Sequence, residues 1–436
     1  MPDPTEPKPA VTQLISLGGA GGRGGVDRGP ERRIVLVGLV GAAGFVAAAG
    51  VARLIGLGGG EWWLPLHLAM AGGAGLAIAA LLPHFTVSLS GSRPAPAPAR
   101  AVGLLLIGGG ALSVAVAFPA GWGPVAVSGA VAYALGIVAT AALAFFPARA
   151  GLGRRFGVVE VAYGLALANA AAAVTLAILR LTDVATLSGA WLGLKPAHAW
   201  LNLVGFVTLV VAATLIHLYP TIVGSRIRSR PALVVLVVGI GLGAPSTALG
   251  YALGSDVIAR IGAVAVSAGA VAMVMVAVGA WEGRGNWTTD PAWHRLTIGH
   301  LSASVAWLAA GIGVLLVGVA ADGADPAGWS LARVIGPLGS GMALQALVGA
   351  WSHLLPSVGP GDVARHAAQR RELARWATPR LVSWNVATAL LTGGAFGPAW
   401  LTGAGLALLG MTLLVSVALL GRALVVREPA GGPAPA

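Results

Sequence analysis

Apolar runs long enough to cross a bilayer recur twelve times in this sequence, at about 34–56, 62–88, 100–119, 123–147, 157–181, 196–222, 231–253, 257–281, 296–320, 331–356, 380–398 and 400–425. A span needs about 20 mostly apolar residues, and inside lipid every backbone N–H and C=O must find its partner within the chain. Helices meet that demand, so the pattern predicts an all-α membrane protein of twelve transmembrane helices over 33–426. Composition agrees. Only 10% of the residues are charged, where a soluble chain carries roughly a quarter, and mean hydropathy is +0.84. Trp62, Trp63, Trp122, Trp191, Trp281, Trp329 and Trp400 stand near span ends, as interfacial aromatic belts do. The third and fourth runs, and the last two, are separated only by the short uncharged turns "FPAGWGP" and "FGPAW".

The net charge of +12 does not point to nucleic acid, because the basic residues sit in the short connections between spans. With the N-terminus placed inside, 22 Lys and Arg fall on the inner side and 5 on the outer. That asymmetry is the positive-inside pattern. It predicts a multi-pass protein of a bacterial cytoplasmic membrane with both termini cytoplasmic, its arginines touching anionic headgroups of the lipid bilayer.

No cysteine is present, which excludes disulfides, iron–sulfur ligation, thiolate metal sites and covalent c-type haem. Residues 1–32 lack the apolar core of a signal peptide and read as a disordered cytoplasmic tail, with 427–436 a second short tail. The stretch "GGAGGRGG" has no following Lys-Ser/Thr, so it reads as linker rather than phosphate loop. The connection 361–380 suits an amphipathic helix with Arg371, Arg375 and Trp376 at the headgroups and His366 solvated.

Three helices end alike. The second ends "LLPHF" with His84, the sixth "LIHLYP" with His217, and the tenth "WSHLLP" with His353, in steps of 133 and 136 residues and four spans each. This predicts a pseudo-threefold arrangement of four-helix groups. His67 and His198 stand at the opposite ends of the second and sixth helices, and His300 opens the ninth on the inner side. Along the sixth helix His198 and His217 are about 28 Å apart, too far to share one metal. Two depth layers follow: His67 with His198 outside, and His84, His217, His300 and His353 inside.

Ionisable side chains within a span face a bundle interior or cavity, and imidazole is a common ligand of haem iron and copper. One reading makes either layer a haem or copper site, with Gly72, Gly73, Gly75 and Gly205 leaving room for a flat macrocycle and Asn202, one turn past His198, orienting its ring. The other makes the histidines helix-end anchors, the glycines close-packing residues and Asn202 an interhelical bond. Met70 and Met342 are candidate soft ligands or core filler. Glu160, Asn169, Gln345 and Asn385 are further intramembrane polar groups, with Glu160 placed to take up a proton or to pair with Arg154 or Arg155.

Twelve helices with histidines on the second, sixth and tenth resemble subunit I of the haem–copper oxidases and their nitric-oxide-reductase relatives. "AHAWLNLVGF", "TLIHLYPT", "ALQALVGAWSHLLPSVGPG" and "LVSWNVATALL" are similar to NnrS-like proteins and to the membrane domains of actinobacterial copper nitrite reductase or multicopper oxidase fusions. The architecture of residues 33–426 carries the resemblance, while the specific wording covers about 60 residues. The resemblance implies haem b or copper, a low-spin haem ligand at His67, and active-site remnants at His198 or His217. An oxidase also needs adjacent histidines on the seventh helix and a His-x-His pair on the tenth. Here 231–253 has no histidine and the tenth helix has His353 alone. The expectation is therefore a haem- or copper-binding membrane protein that is not a complete terminal oxidase. It would serve respiratory electron transfer or support a nitrogen-oxide or copper enzyme, with quinol and a separate cupredoxin or copper oxidoreductase subunit as partners. The alternatives are a cofactor-free oxidase-like scaffold and a small-solute transporter.

Overall fold

The computed structural model describes residues 29–57, 62–151, 157–183, 190–227, 229–286, 295–358 and 363–426. These contain α1 (Gly29–Leu54), α2 (Trp63–Ser90), α3 (Ala97–Ala117), α4 (Gly123–Arg149), α5 (Gly157–Leu181), α6 (Trp191–Val223) and α7 (Arg230–Leu253). They continue with α8 (Asp256–Glu282), α9 (Arg295–Asp322) and α10 (Ala332–Pro356), the short connecting helix α11 (Val363–Leu373), α12 (Ala377–Gly394) and α13 (Ala399–Val425). Eleven of these are long and apolar enough to cross a membrane. The twelfth long helix, α12, has 18 residues, about 27 Å of rise against a hydrocarbon core of about 30 Å. Its Arg380, Trp384 and Asn385 lower its hydropathy; the buried Arg380 donates to the Leu373 carbonyl at 2.9 Å and to Ser416 Oγ of α13 at 3.2 Å. Among the described residues the protein is an all-α bundle of twelve long helices, eleven of them long and apolar enough to cross a membrane.

Helix ends follow local chemistry. Ser229 caps α7 by accepting from the Ala232 N–H at 3.3 Å, with a proline in the first turn. α2, α6 and α7 are each stopped by a glycine in the left-handed region, Gly91, Gly224 and Gly254, a conformation that costs a side-chain-bearing residue more. The first helix begins at Gly29, so residues 29–32 of the expected tail are helical, whereas 1–28 and 427–436 lie outside the described residues. The amphipathic connection is shorter than 361–380: α11 stops at Leu373, Trp376 turns with φ 51°, and α12 starts at Ala377. Arg154 and Arg155, the expected partners of Glu160, also lie outside the described residues.

The threefold arrangement is built into the backbone. α2, α6 and α10 each carry a stretch of wider π-helical turns, at Leu68–Ala74, Trp200–Thr208 and Ile335–Leu344. Each stretch ends nine or ten residues before the repeated histidine. In every group of four, the third and fourth helices form a tight hairpin: α3 with α4, α7 with α8, α12 with α13. Small residues permit this. A methyl group on Gly110 would lie 2.6 Å from the Gly129 carbonyl oxygen, one on Gly243 2.8 Å from that of Gly262, and one on Gly405 3.0 Å from that of Ala387. Without a hydrophobic drive between helices in lipid, such backbone approach supplies the packing contact. α6 is the most enclosed helix, 78% of its central span buried against 22% for α1. An apolar cavity of about 120 Å³ lies between α2, α6 and α10, edged by Met70, Gly73, Val207, Leu215, Ala343 and Leu347.

Candidate functional site

His67 and His198 come from helices 131 positions apart in sequence, and the fold brings them face to face near one end of the bundle. Their ring centroids are 6.5 Å apart and their planes differ by 17°. Each ring is held from behind. His67 Nδ1 lies 2.7 Å from the Trp63 carbonyl oxygen one turn back, with the Trp63 ring stacked at 4.2 Å. His198 Nδ1 lies 2.9 Å from the carbonyl oxygen of Ala173 on α5. A carbonyl only accepts, so both Nδ1 atoms carry the proton and donate. In the neutral imidazole the lone pair is then on Nε2 in both rings, the tautomer that backbone carbonyls impose on metal-ligating histidines.

Asn202 does lie against His198, but not as the expected orienting bond. Its Nδ2 donates to the His198 carbonyl oxygen at 3.0 Å and sits 3.2 Å from Nε2 and 3.5 Å from Nδ1. Near-equal distances to both ring nitrogens place the amide beside the ring, not on the Nε2 lone pair. The orienting partner is the Ala173 carbonyl, and no sequence signal marks a backbone oxygen.

At these four glycines the space a side chain would take is already filled. A methyl group on Gly72 would meet Phe45 at 2.2 Å, on Gly73 Val46 at 2.8 Å, on Gly75 the Tyr133 hydroxyl at 2.4 Å, and on Gly205 Asn169 at 2.6 Å. They are close-packing residues, as in the alternative reading. Asn169 itself donates to the Leu165 and Gly241 carbonyls, tying α5 to α7. Met70 lines the cavity and Met342 is fully buried, its carbonyl accepting from Ser304.

The second layer is dispersed. Among the described residues no group of three or more His, Cys, Asp or Glu converges on one point, so His84, His217, His300 and His353 are not brought together as one metal centre. His84 Nδ1 lies 3.0 Å from Glu31 Oε1 of α1, and Arg100 Nη1 of α3 lies 3.4 Å from the same oxygen. Glu31 and Arg100 are both buried. Glu31 thus belongs to the bundle and not to the N-terminal tail in which the sequence pattern places it. His217 packs edge-on to Phe85 at 5.7 Å, and His353 is half-buried on α10. His366 on α11 is likewise half-buried rather than solvated.

His300 is fully buried in a polar chain that joins α9, α10 and α12. Trp307 Nε1 donates to Asn385 Oδ1 at 2.8 Å, and Gln345 Nε2 donates to the same oxygen at 3.2 Å. Gln345 Oε1 therefore accepts from His300 Nδ1, at 2.9 Å. An indole can only donate, so the orientation of the whole chain is fixed from Trp307 inward. Trp384 packs edge-on to the His300 ring at 5.2 Å and donates to the Ser340 carbonyl. Gln345 and Asn385, singled out in the sequence as lone intramembrane amides, belong to this one network.

No protein-family model matches the sequence, and no curated protein matches it. Solved structures do. The chain is similar in fold to a chain of a heme–copper terminal oxidase dimer determined by cryo-electron microscopy, with a TM-score of 0.70. The match covers 92% of this chain and 85% of that chain at 12% identity. The bundle thus has the haem–copper oxidase-like fold.

Proposed function

We propose that this chain is a redox-metal membrane protein on an oxidase-like scaffold, with His67 and His198 as the cofactor ligands. The observation that carries the reading is the pair itself: two imidazoles from separate repeats, with centroids 6.5 Å apart, each with its Nδ1 proton given to a backbone carbonyl. Haem b or copper is the group such a pair would hold, and either would supply one-electron chemistry there. The work of this chain's own residues is to fix both rings and both tautomers through the Trp63 and Ala173 carbonyls.

The seventh helix offers no histidine and the tenth only His353, so oxygen reduction at a paired haem–copper centre is not part of the proposal. The role that fits is electron transfer in a respiratory or nitrogen-oxide pathway, or support of a copper enzyme. On this reading the chain sits in a bacterial cytoplasmic membrane with both termini cytoplasmic, takes electrons from quinol, and passes them to a separate cupredoxin or copper oxidoreductase subunit. Its kinship would be with NnrS-like proteins and the membrane domains of copper nitrite reductases. The support for the orientation is the concentration of arginine at the end that carries His84 and His217.

A reduced-minus-oxidised optical spectrum of the detergent-purified chain, with metal analysis, tests this. Haem bands or stoichiometric copper are expected. Neither, in protein that melts cooperatively, would leave the cofactor-free scaffold as the correct reading.

A further inference from the structure

We propose that the protein binds one phospholipid with a primary-amine headgroup, in a groove between α9, the start of α10 and the turn from α12 to α13. The groove has a volume of about 350 Å³. α9 lines it from Gly313 to Asp322, with Arg333 of α10 and Phe396 of the turn on the other side. It lies at the end of the bundle that carries His198, where Trp329 packs on Trp200 at 6.1 Å.

The shape suits a lipid chain. The α9 positions that line the groove are 313, 314, 317, 318, 321 and 322, the spacing of a single helix face. A methyl group on Gly313 or Gly318 would meet nothing within 4 Å, whereas one on Gly311 would meet Leu338 at 2.4 Å. The groove glycines therefore leave open space where Gly311 serves packing, and Val317 between them is 69% exposed. From Gly313 to Asp322 the helix rises about 14 Å, close to half of a hydrocarbon core of about 30 Å. The groove runs the depth of one leaflet.

The charges at its shallow end select the headgroup. Asp322 closes α9 and Arg333 opens α10. Arg333 reaches only neutral groups: Nη1 donates to the Gly328 carbonyl at 3.4 Å, and the guanidinium lies 5.6 Å from the centre of the Phe396 ring. The Asp322 carboxylate is exposed and lies against Gly328. Both side chains line the groove without bridging each other, and among the described residues neither has another charged partner. A headgroup that carries a phosphate and an ammonium meets both. The guanidinium fork donates to phosphate oxygens, and the carboxylate accepts from the ammonium N–H groups. A small-residue groove alone would equally suit a partner helix; unpaired opposite charges at headgroup depth favour the lipid.

The test is native mass spectrometry of the whole chain in detergent, delipidated and then titrated with phosphatidylethanolamine or with phosphatidylglycerol, which has the phosphate and no amine. One phosphatidylethanolamine per chain is expected, held more tightly than phosphatidylglycerol. Arg333→Gln should weaken both lipids about 5-fold, the usual effect of one basic residue at a membrane surface. Asp322→Asn should weaken the amine lipid alone, by a similar factor, so that the preference disappears. Gly313→Leu/Gly318→Leu should abolish the bound lipid at an unchanged melting temperature, because a methyl at either position meets no protein atom. The Asp322→Asn result decides the headgroup whether or not the leucines perturb folding. Equal retention of the two lipids by the wild type, a preference that survives Asp322→Asn, or lipid kept at full strength by the folded double leucine variant overturns the proposal. A second copy of the chain held in the groove and released by the leucines overturns it as well.

Discussion

Glu31 on α1 and His84 on α2 meet at 3.0 Å, with Arg100 of α3 closing on the same carboxylate oxygen at 3.4 Å. Arg100 also donates from Nη2 to the Ala80 carbonyl at 3.2 Å. Three helices of the first group are thereby joined by charges that are almost fully buried. Removing one member of such a set strands the others in a medium that solvates them poorly. Glu31→Ala should cost about 3–5 kcal/mol of stability. The double variant Glu31→Leu/Arg100→Leu, which removes both charges, should recover most of that loss. Thermal unfolding in detergent, run as a double-mutant cycle, reads both numbers. Additive losses would show that the two charges are not coupled.

The α7–α8 hairpin rests on backbone contact. A methyl group on Gly250 would lie 2.4 Å from the Ala259 nitrogen, and one on Gly239 2.6 Å from the Ala265 carbonyl oxygen. Neither neighbour is a flexible side-chain end that can swing aside. Gly250→Val should therefore lower stability by at least about 1–3 kcal/mol. Gly279→Val on α8, where a methyl meets nothing within 4 Å, should be close to neutral. Comparable melting temperatures for the two variants would contradict the packing argument.

The His300 chain is structural in this account, not a cofactor site. Gln345→Leu leaves the His300 Nδ1–H without its acceptor in a fully buried position, at a cost of about 1–3 kcal/mol. Metal content should stay at the wild-type level. Loss of metal with unchanged stability would instead place the inner histidine at the cofactor.

The cavity between α2, α6 and α10 is lined almost wholly by apolar atoms, with the Tyr163 and Thr214 hydroxyls bonded to each other at 3.0 Å. Ala346 borders it and is itself buried. Ala346→Leu should fill part of the space and raise stability by about 1 kcal/mol, at roughly 24 cal/mol per Å³ filled. A loss of that size would mean that the wall cannot accept the added carbons.

The fold was largely legible because lipid imposes a simple rule: spans must be apolar and helical, and arginine marks the loops. The repeated histidines near the ends of α2, α6 and α10 disclosed the threefold arrangement, since each closes the same local unit. The π-helical stretches beneath it were invisible, because an extra residue per turn leaves no compositional trace in a uniformly apolar run. The candidate site was half legible. His67 and His198 stood out as ionisable groups in apolar sequence, but their partners are the carbonyls of Trp63 and Ala173, and any residue supplies a carbonyl. The glycines misled for a related reason. Sequence shows where a side chain is missing, and only the fold shows that Phe45 and Val46 occupy the space. Glu31 was assigned to a tail because its charge ends an otherwise apolar run, and its buried partners lie 53 and 69 positions away.

The central claim is that His67 and His198 are one site. Haem and copper per chain, measured in the wild type, both single alanine variants and the double variant, test it most directly. The account predicts one bound haem or copper in the wild type, none in either single variant, and no further change in the double. The same cofactor retained by either single variant would contradict it.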